Sequence, residues 1–77
     1  MKDILLGIAE DCVDEAIRAK SLYNRDFASN HEAYGVILEE LDELWDEIKK
    51  KNPDKEKMRT EATQTAAMLL RFINELT

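Results

Sequence analysis

The first third of the chain spaces its apolar residues as an amphipathic helix does. Between Asp3 and about Phe27, apolar side chains recur every three or four positions, with charged side chains between them. This spacing gathers the apolar side chains on one side of an α-helix. The pattern therefore predicts one long helix over this stretch.

A second helix is predicted to begin near Asn30 and to stop around Lys51. Ser29 and Glu32 have the spacing of a capping box, in which the side chain of each residue bonds the backbone N–H of the other. Six apolar residues then follow at helical intervals and form the predicted inner stripe: Tyr34, Ile37, Leu38, Leu41, Trp45 and Ile48.

A third helix is predicted from about Asp54 to Leu76. Asn52 can cap it, and Pro53 can occupy its first position, where the missing N–H costs nothing. Its predicted inner stripe consists of Met58, Ala62, Ala66, Leu69 and Ile73. Because the connection to the second helix is short, the two helices should form an antiparallel hairpin.

Composition supports an all-α protein with one small domain over residues 1–77. Hydrophobic residues make up 44% of the chain, which has only two glycines and one proline, so a turn-rich sheet protein is disfavoured. A chain of 77 residues buries a limited core by itself. We therefore expect helical bundles formed by oligomerisation, as a homodimer or a homotetramer.

Net charge, cysteine content and the distribution of acidic residues limit the partners, the disulfides and the cellular location that the sequence predicts. The net charge of −6 disfavours binding to a nucleic-acid polymer, which normally needs clustered cations. Cys12 is the sole cysteine, so no intrachain disulfide can form, and it fits best as a small core residue. Acidic residues interrupt the first apolar segment, which predicts no membrane association and a cytoplasmic location.

Carboxylates are dense in residues 38–50, which contain six of them on a predicted helix. Like charges four residues apart disfavour a helix by roughly 0.2–0.5 kcal/mol per pair, a tolerable cost for a solvated surface. With about 100° per residue, Glu40, Glu43 and Glu47 fall on one side of Leu41. The pattern leaves two interpretations open, a solvated acidic face and a cation site.

The third helix carries a matching polar cluster. Glu61 and Gln64 lie on the equivalent side of the Ala62 stripe, and antiparallel packing puts Glu61 level with Glu43 and Gln64 level with Glu40. Three carboxylates and one amide oxygen suit hard cations such as Mg²⁺ or Mn²⁺. The sequence predicts a metal site between the two helices.

These residues resemble two motifs of the MazG-like, all-α nucleoside triphosphate pyrophosphohydrolase superfamily, which includes the dimeric dUTPases. "EELDE", Glu39–Glu43, is similar to its EExxE motif, and "EATQ", Glu61–Gln64, is similar to ExxD except at the last position. The following "TAAMLLRFINEL" resembles short members encoded by phages. The resemblance implies a MazG-like fold, Mg²⁺ or Mn²⁺ as cofactor, and hydrolysis of a nucleoside triphosphate to a monophosphate and pyrophosphate.

The same resemblance implies roles for individual side chains. Glu40, Glu43 and Glu61 would be metal ligands and catalytic residues, with Glu39 beside them to orient water or a second ion. Gln64 stands where the family has Asp, and its amide oxygen offers a weaker ligand. Longer members complete the nucleotide pocket with a further helix, so we expect the first helix or another subunit to do so here. The cations that can bind phosphate are Lys57, one turn from Glu61, and three residues toward the end of the predicted first helix, Arg18, Lys20 and Arg25. The sequence does not single one of them out, and a solvated surface charge is the alternative for each.

Two further interpretations remain open. The chain can be a non-catalytic module that binds or sequesters a nucleotide, or a purely structural helical oligomer whose acidic face is solvated. The residues do not specify the base or the sugar of a nucleotide.

Overall fold

The computed structural model describes all 77 residues. It contains three α-helices and no strand. Helix α1 spans Lys2–Tyr23, α2 spans Asn30–Ile48 and α3 spans Lys55–Leu76. The predicted all-α class and the number of helices are therefore confirmed. None of the helices combines the length and the apolar character that crossing a membrane requires.

Helix α1 ends before the predicted Phe27, at an asparagine in the left-handed conformation. Asn24 has φ 53° and ψ 35°, and its backbone N–H donates to the carbonyl of Lys20 at 2.6 Å. Asparagine adopts this conformation more readily than most residues, because its short side chain bonds locally. The helix therefore stops there, and residues 25–29 form the α1–α2 loop.

The start of α2 agrees with the predicted cap, with one difference. The hydroxyl of Ser29 accepts a hydrogen bond from the N–H of Glu32 at 3.0 Å, as expected. The Glu32 carboxylate, however, accepts from the N–H of Ala28 at 2.9 Å and pairs with Arg25. Glu32 thus ties down the preceding loop as well as the helix.

The start of α3 differs from the prediction. Asp54, rather than Asn52, is the cap, since its carboxylate accepts from the N–H groups of Glu56 and Lys57 at 2.8 and 3.3 Å. Pro53 precedes the cap instead of occupying the first helical position. An aspartate cap also places a negative charge near the positive end of the helix dipole.

Helix α3 is the central element and packs against both other helices, whereas the backbones of α1 and α2 do not come into contact. Helices α1 and α3 run parallel, because Asp11 approaches Arg59 near one end (3.8 Å) and Lys20 lies beside Glu75 near the other. The predicted antiparallel hairpin of α2 and α3 is confirmed by the pairing of their side chains described below.

The core is small and lies where the three helices meet the α1–α2 loop. Ala33 and Ala67 have no exposed surface, and Ala19, Phe27 and Met68 complete the cluster. Alanines at these points let the helix backbones approach closely. Cys12 is also buried, as a small core residue should be, but it lies outside this cluster.

The apolar stripes predicted to face inward largely face outward. On α2, Leu41 and Trp45 are exposed, with 56% of Trp45 accessible. On α3, Leu69 and Ile73 are exposed in the same way, while α2 and α3 meet through faces that contain Ala33 and Met68. The prediction was wrong here because periodicity identifies an apolar face without showing whether the same chain covers it.

The α1–α2 loop is fastened to α3 by a buried ion pair. Arg71 and Glu75 pair at 2.8 Å, with 7% and 1% of their side chains exposed. Glu75 also accepts from the N–H of Phe27 at 2.7 Å, and Arg71 donates to the carbonyl of Arg25 at 3.2 Å. The Arg71 guanidinium lies 4.3 Å from the centre of the Phe27 ring. These contacts fix the loop beside the candidate site.

Candidate metal site and the adjoining cavity

Three carboxylates meet across the interface between α2 and α3. One oxygen from each of Glu40, Glu43 and Glu61 lies within 4.8 Å of the others. Glu40 and Glu61 are half-buried, whereas Glu43 is exposed. The antiparallel hairpin therefore has the register that the sequence predicts, since Glu43 is level with Glu61.

Gln64 joins the same cluster from α3. With its amide nitrogen turned toward the acids, it donates to Oε2 of Glu40 and Oε2 of Glu61, each at 3.2 Å. The amide thus supplies partial positive charge between two carboxylates. The opposite rotamer of the amide presents its oxygen at the same place, which is the orientation a cation would need.

The cluster holds more negative charge than its surroundings compensate. Burial raises the pKa of Glu40, and the nearby charges of Glu43, Glu61, Glu15 and Glu39 raise it further. Burial also raises the pKa of Glu61, together with a hydrogen bond and the charge of Glu43. Both carboxyl groups therefore hold their protons more tightly than an isolated glutamate does.

The remaining predicted residues lie around this cluster rather than in it. Glu39 lines the neighbouring cavity and contributes to the negative field at Glu40. Lys57 lies close enough to Glu47 for its positive charge to help lower the pKa of Glu47. Lys57 does not line the cavity.

The other acids of residues 38–50 have separate roles. Glu47 is buried and binds Lys50 at 2.6 Å, which is the main reason that its pKa is lowered. Its carboxylate also accepts from the N–H of Asp54 at 3.4 Å, so it stabilises the α2–α3 turn. Asp42 and Asp46 are exposed, and Asp46 pairs with Lys49.

A cavity of about 330 Å³ opens beside the cluster, between the three helices and the α1–α2 loop. Glu39, Glu40 and Gln64 line one part of it. The rest of the lining includes arginines and aromatic side chains from α1, the loop and α3: Arg18, Tyr23, Arg25, Phe27 and Arg71. One space therefore adjoins carboxylates, guanidinium groups and aromatic rings.

Glu15 is a member of this site that the sequence did not indicate. It lines the cavity, contributes to the raised pKa of Glu40, and holds Arg18 through two hydrogen bonds of 2.6 and 2.9 Å. The bond to Arg18 is the main reason that the pKa of Glu15 is lowered. No signal marks Glu15 in the sequence, because only the packing of α1 against α3 brings it near the acids.

The donor set fits a divalent cation. Magnesium and manganese prefer oxygen ligands, and Glu40, Glu43 and Glu61 offer three carboxylates from two rigid helices. A cation among them would also offset the repulsion between the carboxylates, which adds to the effect of burial in raising the pKa of Glu40 and Glu61. Glu43, as the exposed ligand, leaves one side of such a site open to the solvent and to a further ligand.

Comparisons of the chain with family models, with curated proteins and with solved structures found no match.

Proposed function

We propose that the protein is a Mg²⁺-dependent nucleoside triphosphate pyrophosphohydrolase of the MazG-like type, or a reduced relative of one. The observation that supports this proposal is the meeting of the two acidic segments. Glu40 and Glu43 of "EELDE" share a cluster with Glu61 of "EATQ", within 4.8 Å. A cavity with cationic and aromatic lining adjoins that cluster.

The proposed reaction is the attack of water on the α-phosphorus of the nucleotide. The bond between the α-phosphorus and the oxygen that bridges to the β-phosphate breaks, pyrophosphate leaves, and the attacking water loses one proton. Bound by Glu40, Glu43 and Glu61, Mg²⁺ or Mn²⁺ would neutralise phosphate oxygens and lower the pKa of the attacking water. Glu39, which lines the adjoining cavity, is the residue proposed to orient the water and accept its proton.

The cavity supplies the candidates for binding the rest of the nucleotide. Arg18 and Arg25 line it, and both are exposed enough to exchange their present partners, Glu15 and Glu32, for phosphate oxygens. Guanidinium groups bind phosphate through paired N–H donors. Lys57 is the less favoured candidate because it lies beside Glu47 and outside the cavity.

A second candidate function is binding or sequestering a nucleotide without turnover. Gln64 favours this alternative, because its amide adds no negative charge to the cluster and donates to Glu40 and Glu61 in the absence of metal. A neutral ligand attracts a divalent cation less than a carboxylate does. Self-association into a homodimer or homotetramer is part of both proposals, since the single chain buries so small a core.

The deciding experiment measures pyrophosphate release from a panel of standard and modified nucleoside triphosphates with Mg²⁺ or Mn²⁺. We expect release from at least one nucleotide and its loss in Glu43→Gln. Asp42→Asn is the matched control, because it removes a carboxylate one position away that lies outside the cluster. Metal-dependent nucleotide binding in calorimetry without pyrophosphate release would select the binding module, and neither binding nor release would exclude both functions.

A further inference from the structure

Arg71 is a buried arginine that lines the cavity and has one nitrogen without an acceptor. Only 6% of the residue is exposed. Nε and Nη2 of its guanidinium bind the Glu75 carboxylate, and Nη2 also donates to the carbonyl of Arg25. Nη1 bonds no group of the protein, and it is not sealed off, since every fully buried side-chain nitrogen or oxygen has a partner. An open donor on a buried side chain is a place where a ligand can accept a hydrogen bond.

The free nitrogen of Arg71 faces away from Glu75. A guanidinium is planar, and Nη1 lies across it from the edge that Nε and Nη2 form. Arg71 borders two spaces, the cavity and an open groove between α1 and α3. Glu75 lines the groove and not the cavity, whereas Arg25 and Phe27 line the cavity and not the groove. Since the paired edge is turned toward Glu75, the free nitrogen is turned toward the cavity.

The cavity extends along α3 from the acid cluster to Arg71. Gln64 and Arg71 are seven residues apart, which corresponds to about 10 Å along the helix. Met68 lies between them on α3, and Val36 lines the cavity from α2. Its volume of about 330 Å³ is near the lower limit of ligand pockets, which measure roughly 300–1,000 Å³. The cavity therefore has an acidic end, an apolar middle and an end with a free hydrogen-bond donor.

The Arg71 end of the cavity suits a neutral acceptor better than a phosphate. Glu75 already neutralises Arg71, and only 1% of the Glu75 side chain is exposed. A phosphate that drew Arg71 away would leave Glu75 buried without its partner, which is costly. A carbonyl oxygen accepts from Nη1 while the ion pair stays intact. Tyr23, which is exposed and lines the same cavity, offers an aromatic face for a flat ring that carries such a carbonyl.

We infer that Arg71 is a specificity-determining residue whose Nη1 donates to a carbonyl oxygen of the nucleobase. The site then prefers keto bases, such as uracil or hypoxanthine, to their amino counterparts, cytosine and adenine. This inference rests on the proposed nucleotide ligand, with the triphosphate at the acid cluster and the base at the other end of the cavity. An amino group in place of the carbonyl meets Nη1 donor against donor and leaves it unpaired. The unpaired donor weakens binding by about tenfold.

The test titrates the full chain with pairs of nucleosides that differ at this position, inosine against adenosine and uridine against cytidine. Nucleosides carry no phosphate, so neither metal nor hydrolysis is involved. In NMR titrations of the wild type, inosine and uridine should bind about tenfold more tightly than their amino counterparts. They should also shift the Nε–H resonance of Arg71. Equal affinities within both pairs, no binding of any nucleoside, or binding that leaves the Arg71 resonance unchanged would overturn the inference.

Substitutions test whether the preference comes from Arg71. Arg71→Lys keeps a positive charge beside Glu75 but removes the planar guanidinium, so inosine and uridine should bind only about as tightly as adenosine and cytidine. Arg59→Lys, on the same helix but outside the cavity, should keep the wild-type preference. If Arg71→Lys does not fold, the titrations of the wild type decide.

The outcomes separate this inference from the proposed function. A preference for keto nucleosides without pyrophosphate release from any triphosphate would reject the enzyme and support the role of Arg71. Pyrophosphate release with equal kcat/KM for ITP and ATP, and for UTP and CTP, would support the enzyme and overturn the role of Arg71.

Discussion

The carboxyl groups of Glu43 on α2 and Glu61 on α3 face each other across the helix contact, with one oxygen of each within 4.8 Å of the other. Two carboxylates at this distance repel each other, and a proton bound between them relieves the repulsion. Burial, together with the neighbouring Glu43, raises the pKa of Glu61, so the pair binds a proton more tightly than an isolated glutamate does. A cation that displaces this proton would turn the same two oxygens into ligands, so proton binding and metal binding should compete here.

The first prediction concerns stability as a function of pH in the absence of metal. The folded-state pKa of Glu61 is raised above its ordinary value of 4.5. Its contribution to stability is therefore complete below pH 4.5 and is lost as the pH rises through the raised pKa. Glu61→Gln removes this loss, so at pH 7 the variant should melt about 4–8 °C above the wild type if roughly 1 kcal/mol of repulsion is relieved.

The control for this prediction is the same comparison about one unit below pH 4.5, where the Glu61 carboxyl is largely neutral in both the folded and the unfolded state and the difference should shrink toward zero. Asp42→Asn should show no such pH-dependent difference, because Asp42 is exposed and outside the cluster. A Glu61→Gln variant that is less stable than the wild type at pH 7 would contradict the interpretation of this carboxyl as repelled.

The second prediction concerns the response to metal. A ligand that binds only the folded state raises stability by about 2.7 kcal/mol when its concentration is one hundred times its dissociation constant. Mn²⁺ or Mg²⁺ should therefore raise the melting temperature of the wild type at pH 7, and Glu43→Gln should remove most of this increase. Differential scanning fluorimetry or calorimetry measures it directly, with Asp42→Asn as the variant that keeps the wild-type response.

If metal stabilises Glu43→Gln as much as the wild type, the cluster is not the binding site. If the increase disappears as the pH is lowered through the raised pKa values of Glu40 and Glu61, protons and metal compete for the same oxygens. We expect this second result, since a protonated carboxyl is a poor ligand.

The third prediction concerns Gln64. Replacing it with Asp removes an amide that donates to Glu40 and Glu61, at 3.2 Å each, and adds a fourth carboxylate. Without metal, Gln64→Asp should lose about 1–3 kcal/mol of stability at pH 7, because hydrogen bonds to charged groups are replaced by repulsion. With saturating Mn²⁺, Gln64→Asp should instead be more stable than the wild type. Calorimetry should show that the variant binds the metal more tightly.

Gln64→Glu tests whether charge alone explains the effect, since it adds the same charge on a longer side chain. If Gln64→Asp also gains pyrophosphate release, the amide limits catalysis. Tighter metal binding without release would favour the binding module. A variant with unchanged metal affinity would show that Gln64 does not contact the ion.

Part of the site follows directly from helix geometry. The short connection between α2 and α3 restricts them to an antiparallel pair, and the equal rise per residue then makes Glu43 level with Glu61 and Glu40 level with Gln64. An error of one residue in the turn moves these levels by only about 1.5 Å. For this reason the cluster of Glu40, Glu43 and Glu61 could be predicted from the sequence. The prediction of the cluster holds even though the predicted cap of α3 is Asn52 and the observed cap is Asp54.

Other features depend on contacts that periodicity does not encode. The sequence predicts Leu41 at the centre of the inner face of α2, but helices approach most closely at small residues, and Ala33 supplies that contact on α2. Helix geometry places Glu47 on the same side of α2 as Glu40 and Glu43, but it does not show that Lys50 and the N–H of Asp54 bind Glu47 at the turn. Glu15 reaches the site only through the packing of α1, which no local pattern specifies.

The fourth prediction concerns the ion pair that fastens the α1–α2 loop. Arg71 and Glu75 lie 2.8 Å apart with nearly all of their side-chain surface buried. Removing one member of a buried pair leaves an uncompensated charge, which typically costs 3–5 kcal/mol or so. Glu75→Ala should therefore lower the free energy of unfolding by about that amount, as measured in urea, whereas Glu10→Ala on exposed α1 surface should change it little.

The pH dependence identifies the pair as the cause of that loss. The bond to Arg71 is the main reason that the pKa of Glu75 is lowered below 4.5. The contribution of Glu75 is therefore present above pH 4.5 and is lost as the pH falls through the lowered pKa, opposite in sign to that of Glu61. The difference between wild type and Glu75→Ala should shrink as the pH falls from 4.5 through the lowered pKa, where Glu75 loses its charge. A difference that stays constant with pH would point to lost packing instead.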